Sequence, residues 1–127
     1  MLKQIINSEK APRAIGPYSQ AVQVGKLLFI SGQLPLEAAT GELIKNDIEA
    51  ATKKALENIK AIIKEAGAEM TDIAKTTIFL KDINDFSRVN EAYQSFFQLE
   101  PPARSCVEVG RLPKDADVEI EAIVYLG

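Results

Sequence analysis

The sequence predicts an α+β domain of order β-β-β-α-β-α-β-β, a mixed sheet with two helices on one face. Two observations carry that class. Segments 46–67 and 84–97 repeat apolar residues at three- and four-residue steps, the period of a helix buried along one side. Shorter runs between Gly, Pro, Asn and Asp are either alternating or continuously apolar, as strands are. Strands clustered at both ends of the chain favour α+β over a strictly alternating α/β fold. The 127 residues are expected to form a single domain, 1–127, with neither repeat nor linker.

Element by element, LKQIINS (2–8) is a short alternating strand, and the loop EKAPRAIGPYS follows, punctuated by Pro12, Gly16 and Pro17. QAVQVGKLLFISG reads as a hairpin turning at Gly25-Lys26. A longer connection carries turn signals at Pro35 and Thr40-Gly41. NDIEAATKKALENIKAIIKEAG is the first helix. Asn46 with Glu49 resembles a capping box, and Gly67 stands where a C-terminal cap belongs. AKTTIFLKD (74–82) is a strand. NDFSRVNEAYQSFF is the second helix, expected to bury Phe86, Val89, Tyr93, Phe96 and Phe97. Residues 104–110 and 117–125 are the last two strands.

LLFI, TIFL and AIVYL are almost continuously apolar, the pattern of a sheet covered on both faces. Two helices cover only one, so the other face is expected to be a subunit interface. Along the fifth strand Arg104, Cys106 and Glu108 share one side, and Val107 and Val109 the other. With the valines toward the helices, Arg104, Cys106 and Glu108 would point with Glu119 and Glu121 to the uncovered face. Charges placed there need partners or a ligand. Cross-strand ion pairs satisfy that need as well as a carboxylate-binding arginine does.

Composition removes several chemistries. No histidine is present and there is one cysteine, which excludes imidazole triads and His- or Cys-rich metal sites. Neither G-x-x-x-x-G-K-[ST] nor G-x-G-x-x-G occurs. The net charge of −3 argues against nucleic acid as a partner, and no run approaches the roughly 18 apolar residues of a membrane span. A lone cysteine and no apolar leader pattern predict a cytoplasmic protein. Chemistry is left to Arg, Lys, Asp, Glu, Tyr, Ser, Cys106 and the backbone.

AIGPYSQAV, ISGQLP, AKTTIFLKDINDFSRVNEAY and PPARSCVEVGRLPKDADVEIEAI together resemble the reactive-intermediate deaminase family (RidA, also YjgF), in order along the whole chain. The connection FFQLEPPARS is shorter than in some members. The resemblance implies a homotrimer with a chorismate-mutase-like fold and ligand sites between subunits. It also implies cofactor-free hydrolysis of 2-iminobutanoate and 2-iminopropanoate to 2-oxo acids and ammonia. By resemblance Arg104 grips the substrate carboxylate, while Glu119 and the backbone at Cys106 position water. Tyr18, Ser31, Gly32 and Asn90 line the pocket. The rival expectations are a non-catalytic trimer binding small carboxylates, and the endoribonuclease or translation-inhibitor role attached to some relatives.

Overall fold

The computed structural model describes residues 2–127. Strands and helices follow the predicted order: β1 (Lys3–Ile6), β2 (Ala21–Val24), β3 (Leu27–Gln33), α1 (Ile48–Glu65), β4 (Ile73–Leu80), α2 (Phe86–Gln94), β5 (Ala103–Glu108) and β6 (Val118–Tyr125). They make one sheet in spatial order β1-β2-β3-β6-β4-β5. All pairs are antiparallel except β4–β5. A parallel pair needs a crossover, and α2 supplies it. No helix among the described residues is long and apolar enough to cross a membrane.

Helix α1 starts one residue later than the sequence pattern placed it. Asp47 is the cap, accepting from the Ala50 N–H at 3.1 Å. Asn46, expected in that role, instead sits at φ 62 and donates its backbone N–H to Asp117 at 3.0 Å. At the far end Gly67 adopts φ 81, and the Ala68 and Gly67 N–H groups return to the Ile63 and Lys64 carbonyls. That closes the helix as a glycine cap does. Ala55, Leu56, Ile59 and Ile62 are fully buried against the sheet. In α2, Val89 and Tyr93 are buried, with Phe97 just beyond the helix and 4.6 Å from the Tyr93 ring. Phe86 stays exposed, contrary to its expected burial. It occupies the helix's first position, at the sheet edge.

Sheet sidedness fixes the rest. Leu28, Ile30, Ile78, Leu80, Val118, Ile120 and Val124 are buried on the helix face. Residues paired across a ladder share a face, and Ile78 pairs with both Ile120 and Cys106. Arg104 pairs with Thr76 and Glu108 with Leu80, so all three side chains of the Arg104 set lie on the helix side. The expectation that they point away from the helices is therefore wrong. Glu119 and Glu121, paired with Phe79 and Thr77, do lie on the uncovered side. Val107 joins them, because it pairs with Phe79. Strand alternation tells which residues travel together, not which layer they meet.

On the uncovered face Ile5, Val22, Phe29 and Ile123 are paired in a row, beside Leu27 and Tyr125. Leu27, Phe29, Val107 and Tyr125 are 40%, 43%, 43% and 52% exposed, so this stripe has no cover of its own.

Candidate active site in two halves

One half grows from an irregularity in the sheet. Ile30 pairs with Ala122 and Gln33 with Ile120, so β3 carries one residue more than β6 between those pairs. The extra residue makes a bulge at Ser31-Gly32, a device that re-aims nearby side chains. Glu119 lies across Gly32 so closely that a Cβ there would come 2.6 Å from its Oε2. Only glycine leaves that space. The half-buried Glu119 has no ion-pair partner among the described residues. Burial, and then the neighbouring Glu121, push its carboxyl above the usual glutamate range. It borders a cavity of about 660 Å³ together with Arg13, Tyr18, Ser31, Gly32 and Glu121. The Ser31 hydroxyl is already used, donating to the Ser19 carbonyl at 2.6 Å.

The other half is built at the sheet edge. The Arg104 guanidinium stands 4.9 Å from the Tyr93 ring centroid and 5.4 Å from that of Phe86. Cation–π contact holds its plane without consuming its donors. Tyr93 is itself fixed by a 2.7 Å hydrogen bond with Thr76. Burial raises the Tyr93 phenol's pKa, against the Thr76 bond and Arg104, which lower it. Among the described residues no carboxylate pairs with Arg104. Its cavity, about 590 Å³, is lined also by Asn90, Tyr93, Phe97, Leu99 and Pro102. The Asn90 Oδ1 is buried with no hydrogen-bond partner. Cys106, two residues along the strand, packs partly buried against the core. Burial pushes its thiol up, with Arg104 opposing.

The expected site residues thus fall into two groups. Tyr18, Ser31, Gly32 and Glu119 meet around one cavity, and Asn90 and Arg104 border another, with Cys106 on the same strand face as Arg104. Arg104 and Glu119 sit on opposite faces of the sheet, and a single chain does not bring them together. The aromatic seat of Arg104 was missed, because Phe86 and Tyr93 read as core. Their seven-residue spacing on α2, with Asn90 between, was the available signal.

Comparison with known proteins agrees with the motifs. The Endoribonuclease L-PSP family matches residues 8–126. A RutC family protein of Pyrococcus abyssi is 54% identical over 98% of each chain. A 2-iminobutanoate/2-iminopropanoate deaminase of Salmonella typhimurium is 50% identical over 96% of this chain and 97% of its own. A Yersinia pestis protein of the conserved Rid family superposes with a TM-score of 0.95 at 48% identity, covering 98% of this chain and 99% of that one. Escherichia coli TdcF with bound serine gives 0.92 at 48% identity, covering 96% and 98%. The chain belongs to the Endoribonuclease L-PSP family, the RidA/YjgF group that its motifs resemble.

Proposed function

We propose that this chain hydrolyses 2-iminobutanoate and 2-iminopropanoate to 2-oxo acids and ammonia, as a homotrimer with sites between subunits. The observation that carries this reading is the division of the site. An arginine and a glutamate with no ion-pair partner among the described residues lie on opposite faces of one sheet, each beside its own cavity. A cyclic head-to-tail contact would set the β5 edge of one protomer against the Glu119 face of the next, and would cover the apolar stripe. The activity carried by the Salmonella relative's name, and the amino acid bound to TdcF, support a small carboxylate as ligand.

In this reading Arg104 holds the carboxylate with its planar fork, and the aromatic rings keep that plane oriented. The imine carbon is already electrophilic, so positioning and electrostatics suffice. Starting from the protonated imine, Glu119 takes a proton from water as the new C–O bond forms and the C=N π pair moves to nitrogen. Glu119 returns that proton to the carbinolamine nitrogen and then takes the hydroxyl proton as C=O forms, the C–N bond breaks and ammonia leaves. The hydroxyl proton passes from Glu119 to the departing ammonia as ammonium. Within the single chain burial and Glu121 raise the Glu119 pKa, the direction that strengthens a carboxylate as a base. Cys106 contributes through its backbone, and Tyr18, Ser31, Gly32 and Asn90 form the walls.

The test is a coupled assay with freshly generated 2-iminobutanoate. Accelerated release of oxo acid supports the deaminase. Tight 2-oxobutanoate binding without acceleration identifies a carboxylate-binding protein instead. A shared site is tested by mixing Arg104→Ala and Glu119→Gln subunits through denaturation and reassembly. Random trimers regain about a quarter of the sites, each built from the intact half of either variant. No recovery means that the halves do not combine. RNA cleavage, suggested by the family's description, is checked by salt-titrated RNA binding, for which the net charge of −3 is unfavourable.

A further inference from the structure

We infer that Gln20, which is not among the expected site residues, is a positioning residue that holds the Tyr18 segment as one wall of the Glu119 cavity. The inference rests on the functional reading above. Residues 7–20 form neither helix nor strand, so their backbone groups lack ladder partners. Gln20 supplies them from a side chain that is only 2% exposed. Its Oε1 accepts from the Ser8 N–H at 2.7 Å, and its Nε2 donates to the Ser8 carbonyl at 3.0 Å and the Pro12 carbonyl at 2.9 Å. Both ends of the carboxamide are therefore used, as a bridge between strands would use a peptide group.

A second tether closes the segment. The Ser31 hydroxyl donates to the Ser19 carbonyl, and the Ser31 N–H donates to the Gln20 carbonyl at 2.9 Å. Between these anchors lie Arg13, Ile15 and Tyr18, all bordering the cavity that Glu119 borders. Inside the span, the backbone bond is the Tyr18 N–H to the Gly16 carbonyl, with Gly16 at φ 110. The wall is thus fixed at its ends and shaped by Gly16-Pro17, and Gln20 is the anchor at its entry. Ser31 serves the same segment by its hydroxyl.

The experiment combines Gln20→Met with Tyr18→Ala in a double-mutant cycle on kcat/KM for 2-iminobutanoate, using the assembled protein. Methionine keeps the volume and removes all four side-chain bonds, including the long one from Nε2 to the Ala11 carbonyl at 3.5 Å. Misplacing a wall of the site predicts a roughly 10- to 100-fold loss for Gln20→Met. The loss should shrink to a few-fold when Tyr18 is already alanine. Trypsin should also cleave after Lys10 and Arg13 faster in Gln20→Met than in wild type. Effects that multiply independently, or unchanged cleavage, overturn the assignment. If Gln20→Met fails to fold, Gln20→Glu, which keeps the Ser8 acceptor and loses the two donors, is carried through the same cycle. Should wild type lack turnover, the functional reading fails. The cycle is then read on 2-oxobutanoate binding and the tether on proteolysis, so the two failures remain distinguishable.

Discussion

The Glu119 half and the Arg104 half of the candidate site are built by opposite means. Around Glu119 the backbone does the shaping: a bulge at Ser31-Gly32, a glycine that admits the carboxylate, and a loop tied down at both ends. Around Arg104 side chains do it, since β5 is an exposed edge strand and the guanidinium is steadied by two rings. Their energetics differ in the same sense. A half-buried carboxylate without a partner costs stability, whereas an exposed arginine on an aromatic platform remains solvated. The difference teaches where each half is fragile. The first fails when its backbone geometry is disturbed, the second when its planar, charged group is changed.

The largest effect is expected at Arg104. A charge-assisted hydrogen bond contributes about 1.5–3 kcal/mol, so losing a two-pronged grip should lower kcat/KM by ~100-fold or more. Arg104→Lys should fall nearly as far as Arg104→Ala, because an ammonium has neither the fork nor the flat face that rests on Tyr93. Near-normal affinity of Arg104→Lys for 2-oxobutanoate, measured by calorimetry, would remove the planar grip from the mechanism. Next come two changes to the other half. Glu119→Gln should still bind the oxo acid while turnover drops. Gly32→Ala must displace Glu119 from a contact that would measure 2.6 Å, and should reduce kcat by a similar factor, roughly 10- to 100-fold, in a folded protein. Wild-type turnover in Gly32→Ala would show that the position of that carboxylate does not matter.

The contrast between the halves also explains what the sequence disclosed. The element order, the hairpin turn at Gly25-Lys26 and the Gly67 cap were legible, because periodicity and φ requirements are local. The cap at Asp47 rather than Asn46 was not, since a distant acceptor, Asp117, holds Asn46 outside the helix. The facing of Arg104, Cys106 and Glu108 was misjudged for a related reason. The two valines of the expected strand 104–110 were taken to mark the core side, yet Val107 belongs to the uncovered apolar face. Membership of each half depends on pairing register, and register is a property of the neighbouring strands. Residues such as Gly32 and Glu119, 87 positions apart in sequence, come together only through that register.

A smaller effect, in stability rather than rate, follows from Glu119. Its folded-state pKa is raised, first by burial and then by Glu121, so the folded chain holds this proton more firmly than the unfolded chain. As pH rises from the ordinary glutamate value through the raised one, the unfolded state releases its proton first and stability falls. Glu119→Gln, neutral throughout, should therefore melt higher than wild type at neutral pH and match it below pH ~4. If assembly brings Arg104 of a neighbour to Glu119, that gain should grow in an Arg104→Ala background. Equal gains in both backgrounds would mean that the two halves do not meet.

The smallest effect is expected at Cys106, although it stands beside the strongest charge in the site. Reactivity requires the thiolate, and burial pushes this thiol above its usual pKa; Arg104 opposes the shift without reversing it. No histidine exists to take its proton. Its side chain behaves as a small apolar group packed on the core beneath β5, while its backbone keeps its place in the edge strand β5 whatever the side chain is. Cys106→Ala and Cys106→Ser should therefore keep turnover within about threefold of wild type, with stability lower by roughly 1 kcal/mol or less for a partly buried sulfur. Iodoacetamide should modify Cys106 slowly at pH 7 and faster as pH rises, and more slowly still in Arg104→Ala, where the one opposing charge is gone. Rapid alkylation at pH 7, or loss of turnover in a folded and assembled Cys106→Ala, would make the thiol a participant and move the chemistry from Glu119 to the Arg104 half.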